Sequence, residues 1–290
     1  LPKFSPRRMP HSASGALWAA HDAMRRLGLV PMPKGEGRIP MKAMVVGATG
    51  AIGSVCARLL AMVAEEVHLV SPETAKLLSL KGSILKETPG AKLVVAATTD
   101  RGIGAMDMIV TATSGAGKKV LDITRVKPGC VITDVARPLD LPASEVAKRP
   151  DVLVIESGEI LLPGKPRMKN IGLPPGVAYA CLAETIVLAL EGRFENFTVG
   201  RHIEWEKVKE IYRLGLRHGM RLAAISGVNG PFTDADIKRV KKLALEARGA
   251  AASSLPAGGR SAPPPPGARR RSPAAPTPGP RRARRARSGP

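Results

Sequence analysis

The apolar positions of this chain recur in two rhythms. Near the start, Leu17, Ala20, Met24 and Leu27 repeat at helical spacing, Ser12 or Ser14 can cap the segment, and Gly28 can end it, which predicts a helix from about Ser12 to Gly28. Pro31, Pro33 and Pro40 then mark a connector. Beyond it, short β-rich runs predict strands at Met44–Val46, Val67–Val70, Leu93–Ala97, Met108–Ala112, Cys130–Val135 and Val152–Ile155. Helical patterns fall at Ile52–Val63 and Glu73–Leu80. Strands that are apolar on both sides and separated by helices belong to a parallel sheet covered on both faces, so the predicted class is α/β with a doubly wound sheet. After Gly158 the rhythm changes: Pro163, Pro166, Pro174 and Pro175 make a loop, and helices follow near Val177–Glu191, Glu204–His218 and Asp234–Arg248. No internal repeat is visible.

Composition refines this outline at the C-terminus. Between Gly249 and Pro290 there are nine Arg, no Lys and no acidic residue among Pro, Ala, Gly and Ser. Such a segment has nothing to bury and is expected to be disordered. The formal charge of the chain is +21, of which these nine Arg leave +12 for residues 1–248. The tail could touch polyanions without sequence preference, but no aromatic residue is interleaved for base stacking, so no specific nucleic-acid partner is expected. No apolar run reaches a membrane span, because Val177–Leu190 is broken by Glu184 and Thr185. Cys56, Cys130 and Cys181 form neither a disulfide framework nor a CxxC metal site, which points to a reducing, cytosolic setting with no bound metal. The sequence opens on Leu1 rather than Met, so a preceding segment is expected.

The local motif with the most chemistry is Val45-Val46-Gly47-Ala48-Thr49-Gly50-Ala51-Ile52-Gly53, placed between a predicted strand and a predicted helix. Gly47 permits a tight turn, Gly50 lets backbone approach a pyrophosphate, and Gly53 lets the helix pack on the strand. The free amides at the helix start would meet the phosphates. The fold expected is therefore Rossmann-type, with a nicotinamide-dinucleotide domain at 41–158. It would be flanked by an N-terminal helix and connector at 1–40, a C-terminal helical region at 159–248 and the basic tail at 249–290. The GxxGxxG spacing, and the absence of an acid at the tip of strand two where Ser71, Pro72 and Glu73 follow Val70, favour NADPH, with NADH as second choice. Ser71, with Lys76, would lie near the extra phosphate; Ser71 could equally be the cap of the following helix. Ala112 and Thr113, in the loop after strand four that runs on to Ser114 and Gly115, would leave room beside the nicotinamide.

Cys181 is the candidate nucleophile. It lies near the start of a predicted helix after a Pro-Pro-Gly turn, where the helix dipole favours a thiolate. On these residues alone it is more readily a small core residue, since a lone Cys in an apolar helix is more often packed than reactive. The segment Ala180-Cys181-Leu182-Ala183-Glu184, followed by Glu191-Gly192, Asn196-Phe197, Gly200-Arg201 and Arg217-His218-Gly219, resembles the C-terminal part of the aldehyde-forming long-chain fatty acyl-(acyl carrier protein) reductases. Val45 through Ser54 is similar to the glycine motif of that family, and His11 through Leu29 to the helix leading into it, so the resemblance covers about residues 11–226. It implies NADPH, a fatty acyl thioester on acyl carrier protein or coenzyme A, and a cysteine that carries the acyl group, the place Cys181 occupies. The sequence departs from the family in two respects. The ten residues given before His11 are too few for the family's N-terminal domain, and its Arg beside the NADP phosphate has no counterpart at Ser71–Glu73.

Three functions follow as expectations: covalent reduction of an acyl thioester to an aldehyde, a non-covalent dehydrogenase of the shikimate or amino-acid type with Cys181 merely packed, or a nucleotide-binding fragment without catalysis. Backbone amides near Cys181 or Ser157 would hold the oxyanion of the first. Arg137 could steady a phosphate or carbonyl oxygen, or pair with Asp134 or Asp140. Ser157-Gly158-Glu159 could line the site or be a plain turn. His11, His202 and His218 have no spacing that names a role, and Lys238, Arg239, Lys241 and Lys242 form a solvated face that could also attract an acidic carrier protein.

Overall fold

The computed structural model describes residues 12–33, 37–114, 119–156, 159–197 and 204–253. His11, Gly115, Ser157, Gly158, Gly200, Arg201, His202 and the tail beyond residue 253 lie outside the described residues. The elements run α1 (Ser12–Leu27), β1 (Ile39–Val46), α2 (Ala51–Val63), β2 (Ala64–Val70), α3 (Thr74–Glu87), β3 (Lys92–Ala96), β4 (Met108–Thr111), β5 (Val131–Asp134), α4 (Ala143–Val146) and β6 (Leu153–Glu156). The six strands form one parallel sheet in the order β3-β2-β1-β4-β5-β6, which makes the fold a Rossmann-type doubly wound sheet. The order reverses between β1 and β4, and the ligand crevice of such sheets opens there, outside the carboxyl ends of the strands.

Side-chain alternation divides the core between the two faces. Ala43 and Val45 of β1, Met108 and Val110 of β4, and Leu153 and Ile155 of β6 face the layer of α1, α2 and α3. Met44, Val46, Ile109, Ile132 and Val154 face the other way. Here the expected layer of helices is reduced to single turns. Short 3-10 turns at Ile103–Ala105 and Ile123–Arg125, and the one-turn α4, carry the connections from β3 to β6. Ile103, Met106, Leu121, Ile123, Val126 and Leu141 cover the sheet from them. Gly102 and Gly104 interrupt the connection before β4, and Pro138 and Pro142 the one before β6.

The region after β6 is not purely helical, as its sequence suggested. β7 (Glu159–Leu161), β8 (Val177–Tyr179) and β9 (Arg221–Leu222) form a three-stranded antiparallel sheet in the order β8-β7-β9. Between β8 and β9 lie α5 (Ala180–Leu190) and α6 (Trp205–Arg217), and these elements share a core of their own that includes Ile160, Ala178, Val187, Phe197 and Ile211. A small hairpin of β10 (Ser226–Gly227) and β11 (Gly230–Pro231) follows, then α7 (Asp234–Ser253), five residues longer than its pattern predicted. The helix expected over Val177–Glu191 therefore begins only at Ala180, because Val177–Tyr179 pair with Glu159–Leu161. α3 runs to Glu87, past its predicted end at Leu80, since Leu77, Leu80 and Ile84 keep one buried stripe through Gly82. Among the described residues no helix is long and apolar enough to cross a membrane.

Candidate functional site

A cleft of about 1400 Å³ lies at the carboxyl ends of β1, β2, β4 and β5. The glycine turn forms one wall. Gly47 has φ of 81°, and its amide and that of Ala48 both donate to the Val70 carbonyl at 2.9 and 3.1 Å, which fixes the turn to the tip of β2. A Cβ on Gly47 would stand 2.5 Å from the Ala112 carbonyl oxygen, and one on Gly53 would stand 2.1 Å from the Gly47 oxygen. Both positions are closed to any side chain by backbone. Gly50 differs. A Cβ there would meet the Gly47 oxygen at 3.3 Å and the Ala112 oxygen at 3.7 Å, a tight contact rather than a clash, and the residue itself lines the cleft.

Gly50 caps α2 without a side-chain hydrogen bond. The amides of Ala51, Ile52 and Gly53 belong to the first helical turn, which has no carbonyl of its own to meet them. A bare helix start beside an open glycine suits the doubly charged pyrophosphate of a dinucleotide. The residues present therefore fit that group.

At the tip of β2, Ser71 is buried and Glu73 is exposed to the cleft. Thr49 Oγ1 donates to Glu73 Oε2 at 2.8 Å and lies 2.9 Å from Ser71 Oγ, which accepts from the Glu73 amide at 3.2 Å. Lys76 donates to the second Glu73 oxygen. Across the switch point, the Ala112 amide donates to the Val46 carbonyl at 2.9 Å. Thr113 is held by Asp140, through its amide at 3.2 Å and its hydroxyl at 2.5 Å. Asp134 is buried and accepts from the amides of Ala136 and Leu141 at 3.1 and 2.8 Å. Burial pushes its carboxyl above the usual range against the pull of those two amides. The two aspartates thus secure the loop floor and do not pair with Arg137. That guanidinium donates to the Ala136 carbonyl at 2.8 Å and to Glu156 at 3.1 Å, and its carbon lies 6.0 Å from the centre of the Tyr179 ring.

Cys181 is the second residue of α5, exposed, and lines the same cleft together with Arg137 and Tyr179. The other two thiols are buried and out of reach. Burial drives Cys56 up to about 12 and raises Cys130 as well, with Asp107 adding to the second. Of the other residues of the family resemblance, Glu191, Arg217 and His218 serve the lobe itself: Glu191 takes Arg217 and, at 2.5 Å, His218, joining the ends of α5 and α6. Lys238, Arg239 and Lys242 are exposed on α7. Among the described residues no group of three or more His, Cys, Asp or Glu is placed to hold a metal.

Sequence reasoning missed Tyr179 and the approach of Glu73 to Thr49, as well as Lys119 and Asp122, which line the cleft 3.4 Å apart. A signal existed for Glu73, an acid two residues beyond the tested position. None existed for Tyr179, which depends on where α5 starts.

No family model matches this chain. It is 32% identical over 178 residues to the aminotransferase PigE of Serratia sp. (strain ATCC 39006), covering 60% of this chain and 21% of that protein, so the chain spans about a fifth of that relative's length. Among solved structures it is similar to shikimate dehydrogenase from Aquifex aeolicus, with a TM-score of 0.36 and 14% identity over 69% of this chain and 60% of that one. It is also similar to quinate dehydrogenase from Corynebacterium glutamicum in complex with NAD, with a TM-score of 0.35 and 18% identity over 44% of each chain.

Proposed function

We propose that this chain is a nicotinamide-dependent oxidoreductase that reduces a fatty acyl thioester, carried on acyl carrier protein or coenzyme A, to an aldehyde through an acyl-enzyme on Cys181. One observation carries the reading: the exposed thiol lines the same cleft as the open glycine turn. The thiolate adds to the thioester carbonyl, and collapse of that adduct breaks the bond to the carrier sulfur, leaving the acyl group on Cys181 and releasing the carrier thiol. A dihydronicotinamide held at the glycine turn would supply the hydride that reduces the acyl carbonyl. The resulting thiohemiacetal loses the Cys181 thiolate, and the carbon leaves as aldehyde. Arg137, which lines the same cleft, and the first-turn amides of α5 would be donors to the developing oxyanion.

The second reading is a non-covalent dehydrogenase acting on a keto or imino group. Lys119 and Asp122 favour it, because a cation and a carboxylate 3.4 Å apart in the cleft can pass a proton to a substrate oxygen without any thiol.

Acylation separates the two. Incubated with a fatty acyl thioester and no coenzyme, the protein is expected to gain one acyl group on Cys181, visible in intact mass and removed by hydroxylamine. Adding reduced coenzyme should discharge it as aldehyde. Cys181→Ser is expected to lose about a thousandfold or more of aldehyde formation while keeping coenzyme affinity. Cys56→Ser and Cys130→Ser should stay active. An active Cys181→Ser protein, or acylation mapped only to Cys56 or Cys130, removes the covalent reading.

A further inference from the structure

The adenosine end of the cleft, at the tip of β2, is closed by a directed chain of hydrogen bonds. A hydroxyl carries one proton. That of Thr49 goes to Glu73 Oε2 at 2.8 Å. In the 2.9 Å contact between Thr49 and Ser71, Ser71 must therefore be the donor. Ser71 is only 4% exposed and accepts from the Glu73 amide. Neither hydroxyl keeps a proton for a phosphate, and the chain terminates on a carboxylate, which accepts only.

We infer that Glu73 is the coenzyme-selecting residue, accepting hydrogen bonds from the adenosine ribose hydroxyls, and that the protein binds NADH in preference to NADPH. The inference rests on the reading of the cleft as a dinucleotide site. Glu73 accepts from Thr49 and from Lys76, and as a carboxylate it presents acceptors and no donor to a ligand at this end of the cleft. The Glu73 side chain is 45% exposed, within reach of a ligand. A ribose phosphate would bring a charge of about −1.5 to −2 against this carboxylate. The cations that line the described cleft, Lys119 and Arg137, follow β4 and β5, across the switch point from the tip of β2. The cation beside Glu73 is Lys76, and it is already paired with Glu73.

The test is binding by the full chain, read by calorimetric titration of NADH and NADPH and independent of any substrate. NADH is expected to bind at least tenfold more tightly. Glu73→Gln keeps the shape and removes the charge, and should shrink that ratio fivefold or more, with the melting temperature checked in parallel. ADP-ribose should likewise displace bound NADH better than its 2′-phosphate does. Equal or tighter binding of NADPH by the unmodified protein overturns the inference and leaves the dinucleotide site standing. A ratio unchanged in Glu73→Gln overturns the assignment to Glu73. Binding of neither coenzyme overturns both the inference and the reading on which it rests.

Discussion

Three glycines show how much one carbon matters. Gly53→Ala would force a methyl to 2.1 Å from the Gly47 carbonyl oxygen, a backbone atom that cannot swing aside. It should cost both stability, by about 2 kcal/mol or more in urea unfolding, and coenzyme affinity. Gly50→Ala meets nothing closer than 3.3 Å and should unfold within about 1 kcal/mol of the parent, yet weaken coenzyme binding tenfold or more because it adds a methyl at a residue that lines the cleft beside the start of α2. Gly82 lies within α3 with open space around it, so Gly82→Ala should stabilise by up to about 1 kcal/mol. Equal binding losses at Gly50 and Gly82 would show that the first effect is not local. The glycine turn was legible in the sequence because its geometry is set by nine consecutive residues. The Thr49–Glu73 contact was not, since it joins residues 24 positions apart through the register of β1 on β2.

The elements were legible in proportion to their periodicity. All six parallel strands stood out as apolar runs, and α1 and α2 as helical stripes. The second layer did not, because its 3-10 turns are held by tertiary contacts instead of pattern. Arg149 shows how. It donates to the carbonyls of Ile123, Thr124 and Val126, at 3.0, 3.0 and 2.7 Å, and to Asp151 at 2.7 and 2.8 Å. Both side chains are nearly buried, so Arg149→Met should cost about 3 kcal/mol in urea unfolding. The pair also has a pH signature. The Arg149 guanidinium holds the Asp151 carboxyl below its usual value of 3.8. Its contribution is therefore present in full above that value and lost as pH falls through the folded one. Asp134, raised by burial, works in the opposite sense, its charged form being relieved as pH falls. The difference in stability between parent and Arg149→Met should accordingly shrink as pH falls below the usual carboxyl value of 3.8, because Asp134 is common to both and cancels. A difference that stays constant below that value would show that the loss comes from the carbonyl contacts alone.

At the scale of the whole molecule, the apolar residues that build the cores lie among the described residues, while nine of the 45 Lys and Arg lie beyond residue 253. Two cores cover the faces of the parallel sheet, and a third fills the lobe that bears Cys181. α7 adds Ile237, Val240 and Ala244 to the buried set, and Arg248 donates to the Pro128 carbonyl at 2.9 Å. Gly249 to Ala251, in the last turn and a half of α7, are exposed. From 254 to 290, Leu255 is the one aliphatic side chain larger than alanine apart from the prolines, while nine Arg lie in the same stretch. Such a segment supplies almost no apolar area to offset the entropy of ordering it. Removing residues 254–290 is therefore expected to leave the melting temperature within about 2 °C of the parent, a shift worth no more than roughly 1 kcal/mol in a chain of this size. NADH affinity should be unchanged. Heparin retention should fall sharply, since the truncation lowers the formal charge from +21 to +12, and the steep salt dependence of polyanion binding should flatten with it. A melting temperature lowered by more than about 5 °C would mean that the tail buries surface on the folded body, contrary to its composition.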